Sequence, residues 1–304
     1  MRLKFGRPDI TRYADRFDLP AAAPGAPLRI TWLGVTTLLI DDGESALMTD
    51  GFFTRPSLPT FRLRRIAPSQ PRIQDCLARA GVRQLEAVIA VHTHYDHVMD
   101  SAAVADRTEA RLIGSASAAN IGRGHGLSAD RIVVATPGKT MSFGTYDVTL
   151  LASHHSQPDR FPGFITEPLV APVNASAYQC GEAWSTLVHH RHTDRRLLIQ
   201  GSAGFIPGAL AGQRADVAYL GVLQLGYSPR DYLLNYWNET VRTVGARRVI
   251  LIHWDDLFSP LNQPLKPFPH IGDDLDATMN ILSELADQDG IPLHLPTVWQ
   301  PADP

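Results

Sequence analysis

The chain has 304 residues with a formal net charge of −3, and hydrophobic residues make up 44% of it. This charge argues against a strongly basic nucleic-acid surface, and two cysteines are too few for the disulfide framework of a small secreted protein. No apolar run reaches the length of about 18 residues that a membrane span needs, and the basic N-terminus lacks a signal-peptide apolar stretch. These properties predict a soluble cytoplasmic protein that does not bind nucleic acid, and they leave its oligomeric state open.

The N-terminal part of the chain predicts a leader followed by a first β-region. Residues 1–27 form this leader and connector, because their last eight residues read "PAAAPGAP". Residues 28–51 then read as a strand, a glycine turn and a second strand. A helix is expected over residues 71–80, which open on a proline and end before a glycine. The run "LEAVIAV", residues 85–91, is typical of a strand buried on both faces.

The rest of the chain continues this alternation of strands and helices, which indicates an α/β fold. Strands are expected in "ARLIGS" (110–115), "YDVTLLASHHS" (146–156), "ADVAYLGV" (215–222), "RRVILIHWDD" (247–256) and "IPLHLP" (291–296), a hairpin at "HTDR" (192–195), and helices over 228–245 and about 274–287. Three of the strands end on histidine: at His92, at His154 and at His253. Because strand ends on one edge of a sheet lie close together, these histidines are expected to converge.

The stretch "VHTHYDHVMD", residues 91–100, is the strongest chemical signal in the sequence. It places His92, His94, Asp96 and His97 within six positions, directly after a buried strand. A polar turn would explain one such residue. Imidazole and carboxylate groups at this density suit a divalent transition metal, with zinc expected first and manganese or iron as alternatives. The sequence therefore predicts a metal site at this strand end.

The segment "HTHYDH" resembles the H-x-H-x-D-H signature of the metallo-β-lactamase superfamily. The opening β-region, "ITWLGVTTLLIDDGESALMTDGFFTRPS", resembles the branch that contains ascorbate-6-phosphate lactonase and the N-acyl-phosphatidylethanolamine phospholipase D. The resemblance extends over nearly the whole chain. It implies one αββα domain over residues 1–304, with two mixed sheets, helices on the outer faces and a site for two divalent ions at one edge.

The resemblance also implies which residues hold the two ions. His92, His94 and one histidine of "ASHHS" would hold the first ion, whereas Asp96, His97 and His253 would hold the second. Asp96 is also the candidate catalytic residue. Strand alternation turns only one of the two adjacent histidines inward. We expect this to be His154, because related proteins often show a histidine, one residue and then a serine after this strand, and His155 is the alternative.

Ser202 departs from the pattern of the superfamily, whereas Asp50 matches it. The turn "GSAG", residues 201–204, matches the turn that usually carries an aspartate bridging the two ions, so Ser202 stands where a carboxylate is expected. Asp50 matches a frequent aspartate beneath the ions, where it would orient a ligand histidine; a plain turn aspartate is the alternative.

His189, His190 and His192 lie on the predicted hairpin and are expected to form a solvated edge.

The resemblance implies a hydrolase that uses a metal-bound hydroxide on an ester, a lactone or a phosphodiester. The alternative is a non-catalytic binding protein of the same fold with a weakened metal site. Apolar, proline-rich loops and the arginines of "RPSLPTFRLRR", residues 55–65, would suit a small-molecule substrate that carries an acyl or a phosphate group, and simple packing of these loops is the alternative.

Overall fold

The computed structural model of the protein describes residues 4–304 and arranges their strands in two sheets of seven. In chain order the strands are β1 (Arg29–Trp32), β2 (Leu38–Asp41), β3 (Ala46–Thr49), β4 (Ala87–Ile89), β5 (Arg111–Gly114), β6 (Ile132–Val134), β7 (Thr140–Phe143), β8 (Tyr146–Ser153), β9 (Ala183–His190), β10 (Arg195–Gln200), β11 (Val217–Gly221), β12 (Arg248–Ile252), β13 (Leu293–His294) and β14 (Pro301–Ala302).

Both sheets are mixed. The first has the order β14-β1-β2-β3-β4-β5-β6, antiparallel up to β3 and parallel from β3 to β6. The second has the order β13-β12-β11-β10-β9-β8-β7, antiparallel from β7 to β10 and parallel from β10 to β13. The predicted hairpin is the β9–β10 pair. The strand predicted from "LEAVIAV" is β4, whose three residues are all buried.

Helices flank the sheets. They are α1 (Leu58–Leu63), α2 (Gln70–Arg79), α3 (Tyr95–Val98), α4 (Ser101–Arg107), α5 (Ala116–His125), α6 (Arg230–Trp237) and α7 (Leu275–Asp289), together with 3₁₀ segments at Ile10–Arg16, Ala129–Arg131, Ala175–Ala177 and Leu225–Tyr227. A π-helical turn, Asn238–Arg242, continues α6. The three predicted helices are confirmed: α2 lies one residue before the predicted 71–80, α6 with its π turn lies within 228–245, and α7 covers most of 274–287.

Two apolar clusters hold these layers together. The larger joins both sheets with α6 and α7, for example through Ile30, Val148 and Leu282. The second lies between the first sheet and α2, α4 and α5, as Val88 and Val104 illustrate. Two packed sheets with helices outside them confirm the expected αββα sandwich. No helix among residues 4–304 is both long enough and apolar enough to cross a membrane.

The leader contacts this sandwich. Tyr13 and Phe17 pack against the larger cluster, and the Phe17 ring lies 6.0 Å from that of Trp254. The Arg16 carbonyl accepts the backbone N–H of Leu295 at 2.8 Å. These contacts agree with a leader lying on the sandwich, and the division of the chain at residue 27 stays a prediction.

The strand directions bring polar residues to one edge. In the second sheet, β8, β10, β11 and β12 run the same way, because β8 and β10 are both antiparallel to β9 and β10 to β12 are parallel. The residues that follow these four strands and strands β3 and β4 therefore meet at one edge, where binding sites form in sheets of this kind. They are Asp50, His92, His155, Ser202, Gln224 and His253.

Candidate metal centre

A first group of histidines lies at this edge. His92 and His94 follow β4, and His155 follows β8; one ring nitrogen of each lies within 4.8 Å of the others. The rings of His94 and His155 have centroids 4.5 Å apart. His92 is 1% exposed, and neither of its ring nitrogens has a hydrogen-bond partner among the residues described. An imidazole buried in this way is costly unless a further group satisfies it.

The expected ligand His154 is not in this group. Its side chain is exposed, and its carbonyl passes close to Gly204, where a side chain would collide with it. The physical reason is that β8 ends at Ser153, so strand alternation no longer decides the direction of the two following side chains. In this structure the alternative, His155, faces the site and His154 does not.

A second group lies beside the first. Asp96 and His97 are on α3, and His253 follows β12. The Nε2 atoms of His97 and His253 face each other at 3.2 Å, and the Asp96 Oδ2 atom lies 3.5 Å from Nε2 of His253. All three residues are buried. Two imidazole nitrogens and a carboxylate oxygen that converge in this way form a favourable set of ligands for a cation.

Two carboxylates and one backbone carbonyl outside the two groups hold three of the rings in place. Asp50 is fully buried, accepts the Val91 N–H at 2.9 Å and contacts Nδ1 of His97 at 2.8 Å. This leaves Nε2 of His97 facing the second group, as expected for a carboxylate that orients a ligand histidine. Although burial lowers the pKa of His97, the charges of Asp96 and Asp50 raise it above its usual value.

Asp159 orients a second ring, although no sequence pattern points to it. Its Oδ1 atom lies 3.1 Å from Nε2 of His94, so the Nδ1 atom of that ring remains available to the first group. The backbone orients His155 in a similar way, because the Ser156 carbonyl oxygen lies 2.7 Å from Nδ1 of that ring and leaves Nε2 available. Asp159 lies in the loop after β8, and only the folded chain brings it to His94.

At three of these residues, His92, His155 and Asp96, the electrostatic environment favours the protonation state that binds a metal. Burial, together with the neighbouring His97, holds the pKa of His92 well below its usual value. Burial also lowers the pKa of His155 to about 4. Burial alone would raise the pKa of Asp96, but the adjacent His97 and His253 hold it below its ordinary range. Neutral imidazoles beside an ionised carboxylate are the forms that coordinate divalent ions.

Ser202 lies in the turn after β10 and is 7% exposed. Its Oγ atom accepts the Ser156 N–H at 2.9 Å, and the residue lines the same cleft as His155 and His253. Position 202 therefore faces the site, with a hydroxyl where a carboxylate was expected from the resemblance.

A cleft of about 400 Å³ opens from the two groups to the surface. One wall is a row of aromatic rings in which Phe61 lies 4.8 Å from Tyr95 and 5.3 Å from Phe258, measured between centroids. Arg62 and Arg160 lie at the cleft, are exposed and form no ion pair with other residues of the described part. The cleft thus combines an apolar wall with free positive charge.

Comparison with known proteins places this site in a family. The sequence model of the Metallo-beta-lactamase superfamily matches residues 30–208, which is more than half of the chain. A UPF0173 metal-dependent hydrolase of Methylobacterium nodulans is 29% identical over 167 residues, covering 55% of this chain and 64% of that protein. A UPF0173 metal-dependent hydrolase of Rhizobium etli is 29% identical over 129 residues, covering 42% and 48%. The matches thus span about half to two thirds of these curated relatives.

Solved structures share the fold at low sequence identity. Igni18, a metallo hydrolase of the archaeon Ignicoccus hospitalis, superimposes with a TM-score of 0.55 at 14% identity, covering 91% of this chain and 96% of that one. Unliganded yeast PDE1 gives a TM-score of 0.52 at 12% identity, covering 90% and 99%. The branch suggested by the opening β-region stays a prediction. Fold, strand-end site and sequence match lead to one conclusion: the chain belongs to the metallo-β-lactamase superfamily.

Proposed function

We propose that this protein is a metal-dependent hydrolase that holds two divalent ions, one between His92, His94 and His155 and one between Asp96, His97 and His253. The buried ring of His92 is the observation that carries the proposal, because both of its nitrogens lack a partner and a metal would satisfy one of them. The six side chains fit such ions in ligand type, and His92, His155 and Asp96 are also held in the protonation state that coordinates a cation. Zinc suits the five imidazoles and the carboxylate best, and manganese or iron would also be accepted.

Bound divalent ions supply Lewis acidity and lower the pKa of a coordinated water from 15.7 towards about 7. The residues of the chain supply the rest of the arrangement. Asp50 and Asp159 fix the orientation of His97 and His94. The Asp96 carboxylate lies where it can bind a cation and accept a proton near the reacting bond.

The cleft supports a small-molecule substrate with an acyl or a phosphate group. The aromatic row from Tyr95 through Phe61 to Phe258 would contact an apolar part of the substrate. The free guanidinium groups of Arg62 and Arg160 favour a substrate that also carries a negative charge. A phosphodiester carries a negative charge that a simple lactone lacks, so we place phosphodiesters before lactones and esters among the bonds to be tested.

The test combines metal content with hydrolysis. Purified protein should contain up to two divalent ions per chain and should hydrolyse bis-p-nitrophenyl phosphate, phenyl acetate or a simple lactone. His92→Ala should lose the first ion and most of the activity, whereas the exposed His192→Ala should keep both. Full metal content in His92→Ala would contradict the assignment. A protein that holds its metals but hydrolyses no member of the panel would favour a non-catalytic binding protein.

A further inference from the structure

Gln224 has an unusual backbone conformation at the edge of the cleft. It follows β11 with φ 70° and ψ −5°, in the left-handed region that glycine or asparagine adopts more readily. A glutamine at such a position is a reason to look for a function of its side chain, since strained residues cluster at binding and catalytic sites. Gln224 lines the cleft together with His155, Ser202 and His253.

The fold holds the Gln224 backbone firmly in this conformation. Its N–H donates to Oδ1 of the buried Asp273 at 3.0 Å, and its carbonyl oxygen accepts the Tyr227 N–H at 3.2 Å. Gly226, two residues later, packs so closely against the Asp274 carbonyl that a side chain there would collide with it. The direction in which the Gln224 side chain leaves the backbone is therefore fixed by its own turn and by the segment that carries Asp273.

The side chain itself is held at one end only. Its Oε1 atom accepts the Ser156 hydroxyl at 3.1 Å, and the Ser156 N–H in turn donates to Ser202. Its Nε2 atom forms no hydrogen bond with other residues of the described chain, and the residue is partly exposed on the cleft wall. One end of the carboxamide is thus anchored to the loop that carries His155, which leaves the N–H₂ group as a fixed and unused donor.

We propose that Gln224 is a substrate-binding residue whose Nε2–H donates a hydrogen bond to an oxygen of the group that is cleaved. This inference rests on the proposed hydrolase site, and it narrows the substrate to one with an acceptor oxygen on the reacting atom, such as a phosphoryl or carbonyl oxygen. A donor held in place before the substrate arrives costs little reorganisation, which makes it effective. The length of the side chain explains why glutamine occupies a position that suits a smaller residue. Asparagine is one methylene shorter and would not bring its N–H₂ group as close to the substrate.

The sharpest test replaces Gln224 by the residues that its backbone conformation prefers. Gln224→Asn and Gln224→Gly should unfold at the same temperature as the wild type or higher, because they relieve the backbone and shorten only the side chain. We expect their Kd for diphenyl phosphate, measured by calorimetry on metal-loaded protein, to rise about tenfold, as loss of one hydrogen bond to a charged group allows. Gln224→Glu keeps the oxygen that accepts the Ser156 hydroxyl but lacks the N–H donor. Its Kd for diphenyl phosphate should therefore be at least as high as that of the two shorter variants.

Two controls separate this role from a structural one. Gln213→Asn, in a turn away from the cleft, should leave the Kd unchanged. In ¹⁵N-labelled wild-type protein, the side-chain amide signal that disappears in Gln224→Asn should shift when diphenyl phosphate is added. A Kd within twofold of wild type in both Gln224→Asn and Gln224→Gly would overturn the proposal. So would an amide signal that does not move, or a wild-type protein that does not bind diphenyl phosphate.

The same measurements distinguish failure of this inference from failure of the proposed function. Metal content and hydrolysis by the wild type report on the hydrolase and do not involve position 224. If the wild type binds diphenyl phosphate through Gln224 but hydrolyses nothing, the hydrolase is wrong and Gln224 is a ligand-binding residue. If the wild type hydrolyses substrates and both short variants match it in kcat/KM and Kd, the hydrolase stands and the role of Gln224 is wrong.

Discussion

Two histidine clusters lie at opposite ends of the same strands. At one end, where Ser153 pairs with Ala183, the candidate metal centre contains His92. At the other end, where Tyr146 pairs with His190, strand β9 ends on His189 and His190, and His192 lies in the turn that follows. Ring nitrogens of His190 and His192 lie within 4.8 Å of an Asp42 carboxylate oxygen. By composition the two ends are similar, and each gathers side chains that could bind a metal.

Their hydrogen bonds differ. His190 is buried, contrary to the expectation of a solvated edge, and both of its ring nitrogens have partners: Thr193 Oγ1 at 2.7 Å and Asp42 Oδ2 at 3.1 Å. His92 is equally buried and has none. The satisfied cluster needs no ion, because its donors and acceptors complete one another. Two unpaired ring nitrogens in His92 and two paired ones in His190, more than the number of histidines, distinguish the two ends.

The largest effect should come from the pair His155→Ala and His154→Ala. Removing His155 takes a ligand from the first ion, so the loss of affinity should exceed the ~100-fold that loss of an orienting partner can cost. His154→Ala, one position away and exposed, should leave metal content and activity unchanged. Metal analysis after dialysis checks both variants. The reverse result would show that the loop after β8 takes a different conformation when metal binds.

A smaller effect is expected for Asp50→Asn at the metal end. The asparagine keeps the size of the side chain but loses the charge that raises the pKa of His97 and orients its ring. Affinity for the second ion should fall about tenfold, as in other sites whose orienting carboxylate is lost. Competition with a chromophoric chelator measures this affinity, and the unfolding temperature verifies that the fold is intact. Unchanged affinity would make Asp50 a turn residue only.

The opposite end should respond in stability, not in metal content. His190→Ala removes a buried ring and one of the partners of the Asp42 carboxylate, and we expect the free energy of unfolding to fall by about 2 kcal/mol. His189→Ala, whose ion pairs are partly exposed, should cost less than about 1 kcal/mol. Chemical denaturation gives both values. Loss of a bound ion from His190→Ala would instead show that Asp42, His190 and His192 form a third metal site.

The smallest effect should come from Ser202→Asp. A carboxylate at position 202 adds a negative charge beside both groups, so the second ion should resist graded chelator dialysis at a concentration a few-fold higher than in the wild type. Ser202→Ala, which adds no charge, should lose this ion as readily as the wild type does. Equal retention in all three proteins would show that position 202 does not contact the ions.

The sequence by itself determined the fold class and most of the candidate site. Apolar runs and turn residues predicted β4, α2, α6 and α7, because burial and backbone preference act locally. The spacing of His92, His94, Asp96 and His97 predicted a metal centre, since these four residues are neighbours in the chain and share one strand end. His253 was also predicted, because it lies directly after a buried strand that runs to the same edge.

Only the tertiary structure decided the remaining residues. The choice between His154 and His155 depends on the path of a loop after the strand has ended, where no periodicity applies. Asp159 and Gln224 lie in loops whose sequences carry no motif or periodic pattern. Their roles arise from contacts with His94 and Ser156 on other segments. The same holds for His190, whose partner Asp42 comes from the other sheet. Hydrogen-bond satisfaction is a property of the packed chain, so it is decided only when distant segments meet.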